Sequence, residues 1–154
     1  MGSMLPAWAR SIVLRFWDGP MITVEEARDL MLGHAVASVP VSYTMVFRDV
    51  PPSLLTGSAP WARATVKHAG GGQQGFGDGK RKFVRFGTLA VEIFTPRGDG
   101  NTEADTIAQG VLVHLEGVRS SQVWYRNIRL ADSGADGAFD KASVYADFEY
   151  EYHH

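Results

Sequence analysis

The sequence predicts an α+β domain, an antiparallel sheet packed by two helices in the order α-β-β-β-α-β-β. Two stretches repeat apolar residues at helical spacing, and several others alternate apolar with polar residues as half-buried strands do. A length of 154 residues suits one domain with one core. The whole chain, 1–154, is therefore taken as a single domain. Residues 1–21 form an N-terminal arm, and residues 69–82 a flexible glycine-rich hairpin loop.

The arm carries Leu5, Trp8, Ile12 and Phe16 at helix-like spacing, bracketed by Pro6, Gly19 and Pro20. Large apolar residues on an arm need a surface to cover, in this domain or in a neighbouring subunit. Thr23-Val-Glu-Glu26 is a capping box that opens the first helix. Ala27, Leu30, Met31 and His34 make its apolar face, and Pro40 ends it at the latest.

Val41 to Phe47 reads as a strand, broken by Asp49-Val-Pro-Pro52, and 53–60 as a loop. Trp61 to His68 alternates and gives a second strand. Phe83 to Phe94 gives a third, with Leu89, Val91 and Ile93 on one side, Glu92 on the other, and Pro96 at its end. Asn101-Thr102-Glu-Ala-Asp105 opens the second helix with acidic residues that suit the positive end of its dipole. Ala104, Ile107, Ala108, Val111, Leu112 and Leu115 form its apolar stripe, expected to pack on Leu89, Val91 and Ile93. Gly117 is its cap. Val123 to Leu130 follows as a strand, then a loop over 132–137. Ala142 to Tyr152 closes the sheet with Val144, Ala146, Phe148, Tyr150 and Tyr152 on the apolar face and Asp147, Glu149 and Glu151 on the polar one.

A net charge of −2 gives no global pull toward nucleic acid or a membrane surface. The absence of cysteine excludes disulfides and thiolate–metal sites. No apolar run approaches the roughly 20 residues that span a bilayer. The first residues carry Arg10 and Arg15 inside their apolar part and lack a small-residue cleavage pattern, so they do not read as a secretory signal. Synthesis in the cytoplasm is the default.

The stretch AGGGQQGFGDGKRKF at 69–83 invites a nucleotide reading, since Gly70, Gly72 and Gly75 match G-x-G-x-x-G. That fingerprint must leave a strand and open a helix, and here a strand-like run follows. A Walker-type phosphate loop would need glycine at 74 and Ser or Thr at 81, where the chain has Gln74 and Arg81. The segment reads instead as a hairpin tip that a partner orders. Lys80, Arg81, Lys82 and Arg85 are available to pair with carboxylates or phosphates, or else form a solvated strand end.

The five histidines show no H-x-x-x-H or H-E-x-x-H spacing, and the terminal His153-His154 pair reads as a tail end or tag remnant. Asp132, Asp136 and Asp140 lack calcium-loop spacing and read as turn formers. No nucleophile elbow occurs. The expectation is a non-enzyme with no catalytic, metal or cofactor site. The acidic row Asp147, Glu149, Glu151 is either a solvated sheet face, or a surface that meets basic residues or lines a channel and repels polyanions.

From residue 83 onward the chain resembles the tail terminator proteins of long-tailed phages, the lambda U-type family of minor tail proteins, and their relatives in gene transfer agents. The resemblance covers roughly the C-terminal half. Its carriers are Leu89, Val91, Ile93, Phe94 and Pro96, the helix stripe from Ala104 to Leu115, and the run from Val144 to Tyr152. It implies a structural virion protein that assembles as a homohexameric ring at the head-proximal end of the tail. The ring would cap the tail tube, stop its polymerisation and meet the head–tail connector or stopper. DNA would pass through its lumen without sequence-specific binding, with no membrane involved. Trp8, Phe16, Lys80, Arg81, Lys82, Arg85, Asp147, Glu149 and Glu151 are the candidate interaction residues. Rival readings are another neck, tail-completion or head-closure protein, and a small ligand-binding domain.

Overall fold

The computed structural model describes residues 22–47, 59–77, 80–97, 102–120, 122–131, 135–136 and 139–153. The arm, with Trp8 and Phe16, lies outside them. Helix α1 spans Val24–Ser38. Its capping box is formed: the Glu26 amide donates to the Thr23 hydroxyl at 3.1 Å, and the Thr23 amide to the Glu26 carboxylate at 3.0 Å. Helix α2 spans Thr102–Glu116 and ends as the Gly117 amide donates to the Val113 carbonyl at 3.1 Å.

The strands are β1 (Thr44–Phe47), β2 (Trp61–Gly77), β3 (Lys80–Pro96), β4 (Val123–Ala131), β5 (Ala135–Asp136) and β6 (Phe139–His153). They lie in the order β1-β2-β3-β6-β4, with β5 also paired to β6. The class is α+β as expected, but the sheet is mixed, because β1 runs parallel to β2 from Thr44↔Trp61 to Phe47↔Ala64. A parallel pair needs a crossover of about a dozen residues, and residues 48–60 supply that length. β5 is a further strand, two residues long, within the expected 132–137 loop.

Both helices pack on one sheet face. Ala27, Met31 and Ala35 of α1 and Ala104, Ala108, Val111 and Leu115 of α2 join Ala62, Ala64, Val66, Leu89, Val91, Ile93, Val144, Ala146, Phe148 and Tyr150 in one buried cluster. Ile107 and Leu112 pack at its margin, only partly buried. The expected stripe therefore meets the expected strand face, turned slightly toward Ala104 and Ala108.

The largest departure is at 69–82. The expected hairpin is present, but its arms stay paired well past residue 69, and only 78–79 of the expected loop lie outside the described residues. β2 and β3 stay paired from Trp61↔Phe94 to Gly77↔Lys80, with register shifts between His68 and Gly70 and between Gln73 and Gly75. β6 supplies the reason. It pairs with β3 as far as Lys82↔His153, so the distal part of β3 is templated on its second edge. A bulge takes up an extra residue and bends the strand. Two local contacts hold the glycines in place. A Cβ on Gly70 would lie 3.2 Å from the Phe86 ring, so Phe86 lies over the gap left by the missing side chain. A Cβ on Gly87 would meet the Lys67 carbonyl at 2.1 Å and Phe148 at 2.7 Å, so the backbones approach more closely there than any side chain allows.

Candidate interaction surface

Directly paired residues on neighbouring strands share a face, so the register arranges the face opposite the helices in rows. Trp61, Phe94 and Lys141 form one row, then Arg63, Glu92 and Ser143, then Lys67, Thr88, Asp147 and Arg126, then Gly70, Phe86, Glu149 and Trp124. No described element covers this face.

Its two ends differ. At the first end Trp61 stacks on Phe94 with centroids 3.9 Å apart, and Phe139 meets both edge-on. Val46 completes this small core. Beside it Arg63 donates twice to Glu92, at 2.9 and 3.1 Å, and Lys141 reaches the same carboxylate at 2.6 Å. The two cations also lie 5.4 and 5.7 Å from the Phe94 ring centroid. Burial alone would raise the Glu92 pKa, but hydrogen bonds from Arg63 and Lys141 hold it below the ordinary carboxylate value.

At the other end lies an open groove of about 650 Å³, lined by Gly71, Gly72, Val84, Phe86, Asp147 and Glu149 among others. Phe86 is 47% exposed and Trp124 43%. Glu149 pairs with Arg126, which is largely exposed. Asp147 accepts from Asn127 at 3.0 Å, Arg129 at 3.2 Å and Thr88 at 3.4 Å, and these partners, Asn127 first, keep its carboxyl below the ordinary range. Asn127 sits at φ 52°, in the register shift between Arg126 and Arg129. Asparagine tolerates that left-handed conformation, and the kink brings both its amide and Arg129 onto Asp147.

The helix side holds two histidine–tyrosine pairs. His34 Nδ1 lies 2.7 Å from the Tyr125 hydroxyl, and His68 Nε2 lies 2.7 Å from that of Tyr150. Burial lowers both histidine pKa values. His114 adds to the effect at His34, and Arg28 and Arg85 add to it at His68. Burial pushes Tyr125 up, and burial with Glu103 raises Tyr43 to about 12.

Asp147 and Glu149 share the uncovered face, as their alternation implies. Within the chain Glu149 pairs with Arg126 and Asp147 with Arg129, both of β4. Glu151 continues that face at the distal end, opposite Val84. Arg85 belongs elsewhere: it pairs with Tyr150, on the helix-bearing side near His68. Lys80, Arg81 and Lys82 begin β3 at the far end of the hairpin. The sequence reading missed Phe86, Trp124 and Arg126. The i, i+2 alternation of Trp124 and Arg126 was the signal that they share a face.

Among the described residues no group of three or more histidine, aspartate or glutamate side chains could hold a metal ion. No described helix is long and apolar enough to cross a membrane. No protein-family model and no curated protein matches the chain. Solved structures do match. One, whose title states no function, is 16% identical with a TM-score of 0.54, over 80% of this chain and 94% of that one. At that identity the likeness is one of fold.

Proposed function

We propose that this chain is a structural subunit of a phage tail, of the terminator type. Six copies would close into a ring at the head-proximal end of the tail, cap the tube, stop its polymerisation and receive the head connector. The observation that carries this reading is the division of the sheet. One face is closed by α1 and α2. The other is left uncovered, with the exposed rings of Phe86 and Trp124 and a row of charged pairs. The β2–β3 hairpin adds to it: its described core members run from Ala62 to Val66 and from Leu89 to Ile93, while the ladder continues to Gly77 and Lys80. A ring subunit needs two different surfaces that meet head to tail and close. The resemblance from residue 83 to the end supplies the setting.

Electron microscopy of tails assembled with the purified protein tests the proposal. The expected result is one six-membered ring per tail, at the end that joins the head. Monomers on the tail, or many copies stacked along the tube, would remove the terminator reading.

A further inference from the structure

On the helix-bearing face the register puts His68, Gly87, Phe148 and Tyr125 in one row across β2, β3, β6 and β4. Helix α1 spans that row, and a histidine marks each end of it. At the β4 end His34 of α1 lies 2.7 Å from the Tyr125 hydroxyl, with the two rings edge-on at 5.6 Å. At the β2 end His68 lies 2.7 Å from the Tyr150 hydroxyl, with its ring edge-on to Phe148 and Tyr150. The charged neighbours of each histidine are cations or become so. His114 of α2 lies near His34. Arg28 of α1 and Arg85 of β3 lie near His68. Glu116 and Arg119, of opposite charge, line the groove beside Tyr125, and Glu25 and Asp29, close to Arg28 along α1, are exposed.

The apolar hold on α1 is light. Its fully buried side chains are Ala27, Met31 and Ala35, while α2 buries Ala104, Ala108, Val111 and Leu115. Among the described residues His34 carries the side-chain hydrogen bond that ties α1 to the sheet. We propose that α1 is a proton-released element of the fold: charging His34 and His68 loosens it from the sheet while α2 and the strands stay in place. A neutral imidazole shares a hydrogen bond with its tyrosine and sits part-buried among rings. A charged one is a cation that burial disfavours. Both new charges also push on the same helix. His34 is carried by α1 and is repelled by His114 once that ring is protonated too. His68 belongs to the sheet and repels Arg28 of α1. Burial first, and then these neighbours, keep both histidines neutral below their ordinary value of 6.5 while α1 is seated. An imidazole exposed by release takes its proton near the ordinary value. Release is therefore favoured as pH falls below 6.5 and disfavoured above it.

Hydrogen exchange of the full-length protein tests this at about pH 7.5 and about pH 5.5, read as protection factors corrected for the intrinsic rate. Melting curves at the higher pH confirm that each variant is folded. Protection over 24–38 should fall at the lower pH by up to about tenfold for each histidine, the effect of one pH unit on a group charged only in the open state. Protection over 102–116 and 89–93 should change little. His34→Gln and His68→Gln should each recover part of the loss, and the double variant nearly all of it. Arg28→Gln and His114→Gln, at exposed positions, should each reduce the loss by removing one like charge. These two decide the matter where the double variant does not melt cooperatively. Equal loss in both helices would overturn local release of α1. An α1 equally protected at both pH values would overturn the proposal outright. A loss that stays at wild-type size in the folded double variant, or in both Arg28→Gln and His114→Gln, would overturn the role of the two histidines.

Discussion

Phe94 and Phe86 lie on the same strand, on the same sheet face, each beside a carboxylate that holds an arginine. Phe94 is 2% exposed and Phe86 47%. What separates them is the company each keeps. Trp61, Phe139 and Val46 close over Phe94, and two cations complete Glu92. Nothing among the described residues closes over Phe86. One set of residue types thus builds a small core where every member is supplied internally, and leaves a half-exposed ring where the covering members are missing. Composition does not decide between the two outcomes; burial does.

The comparison can be broken most directly by truncating the two rings. Phe94→Ala should cost about 3–5 kcal/mol, as removal of a buried aromatic does. Phe86→Ala should cost no more than about 1 kcal/mol, the worth of its cross-strand contact over Gly70. Denaturant melts of the two variants decide it, and equal costs would show that Phe86 belongs to a closed core.

A smaller effect separates two glycines of the hairpin. Gly87→Ala forces a Cβ against the Lys67 carbonyl and Phe148, and should cost about 1–3 kcal/mol or more as overpacking does. Nothing lies within 4 Å of a Cβ on Gly72. Gly72→Ala should therefore be neutral or gain up to about 1 kcal/mol from the reduced freedom of the unfolded chain. Thermal melts of both check the ladder, since equal costs would contradict the close approach at Gly87.

The third contrast concerns the carboxylates. Glu92 and Asp147 both have pKa values below their ordinary range in the folded state. Each therefore stabilises the fold above its unfolded pKa and loses that contribution as pH falls through the lower, folded value. The Glu92 side chain is 12% exposed and that of Asp147 37%, so water screens the second more strongly. Glu92→Gln should cost about 1.5–3 kcal/mol at neutral pH, in the range for hydrogen bonds to charged groups, and should flatten the acid limb of a stability–pH curve. Asp147→Asn should move that limb less. The lowered pKa values of His34 and His68 add a slope of the same sign below the ordinary histidine value of 6.5.

Much of this molecule is legible in its sequence. Thr23 and Glu26 announce the start of α1, the Ala104–Leu115 stripe announces α2, and the alternation in β6 separates Val144, Ala146, Phe148 and Tyr150 from Asp147 and Glu149. What stays hidden is non-local. The parallel pairing of β1 with β2 leaves no periodic trace in either strand. The glycines of 70–77 have low strand propensity, and they pair because β3, held on its other edge by β6, offers a template; propensity yields to tertiary context there. The charged pairs were half visible. Asp147 and Glu149 alternate plainly, as do Trp124 and Arg126, but Arg129 reaches Asp147 through a register shift at Asn127 that no local pattern encodes.

The division between a closed end and an open end of one sheet face is tested most directly by hydrogen exchange on the protein. The amides of 61–66 and 89–94 should be the more protected, and those of 70–77 and 80–86 the less, because only the first end is closed over. Equal protection at both ends, or more along the hairpin end, would contradict the account.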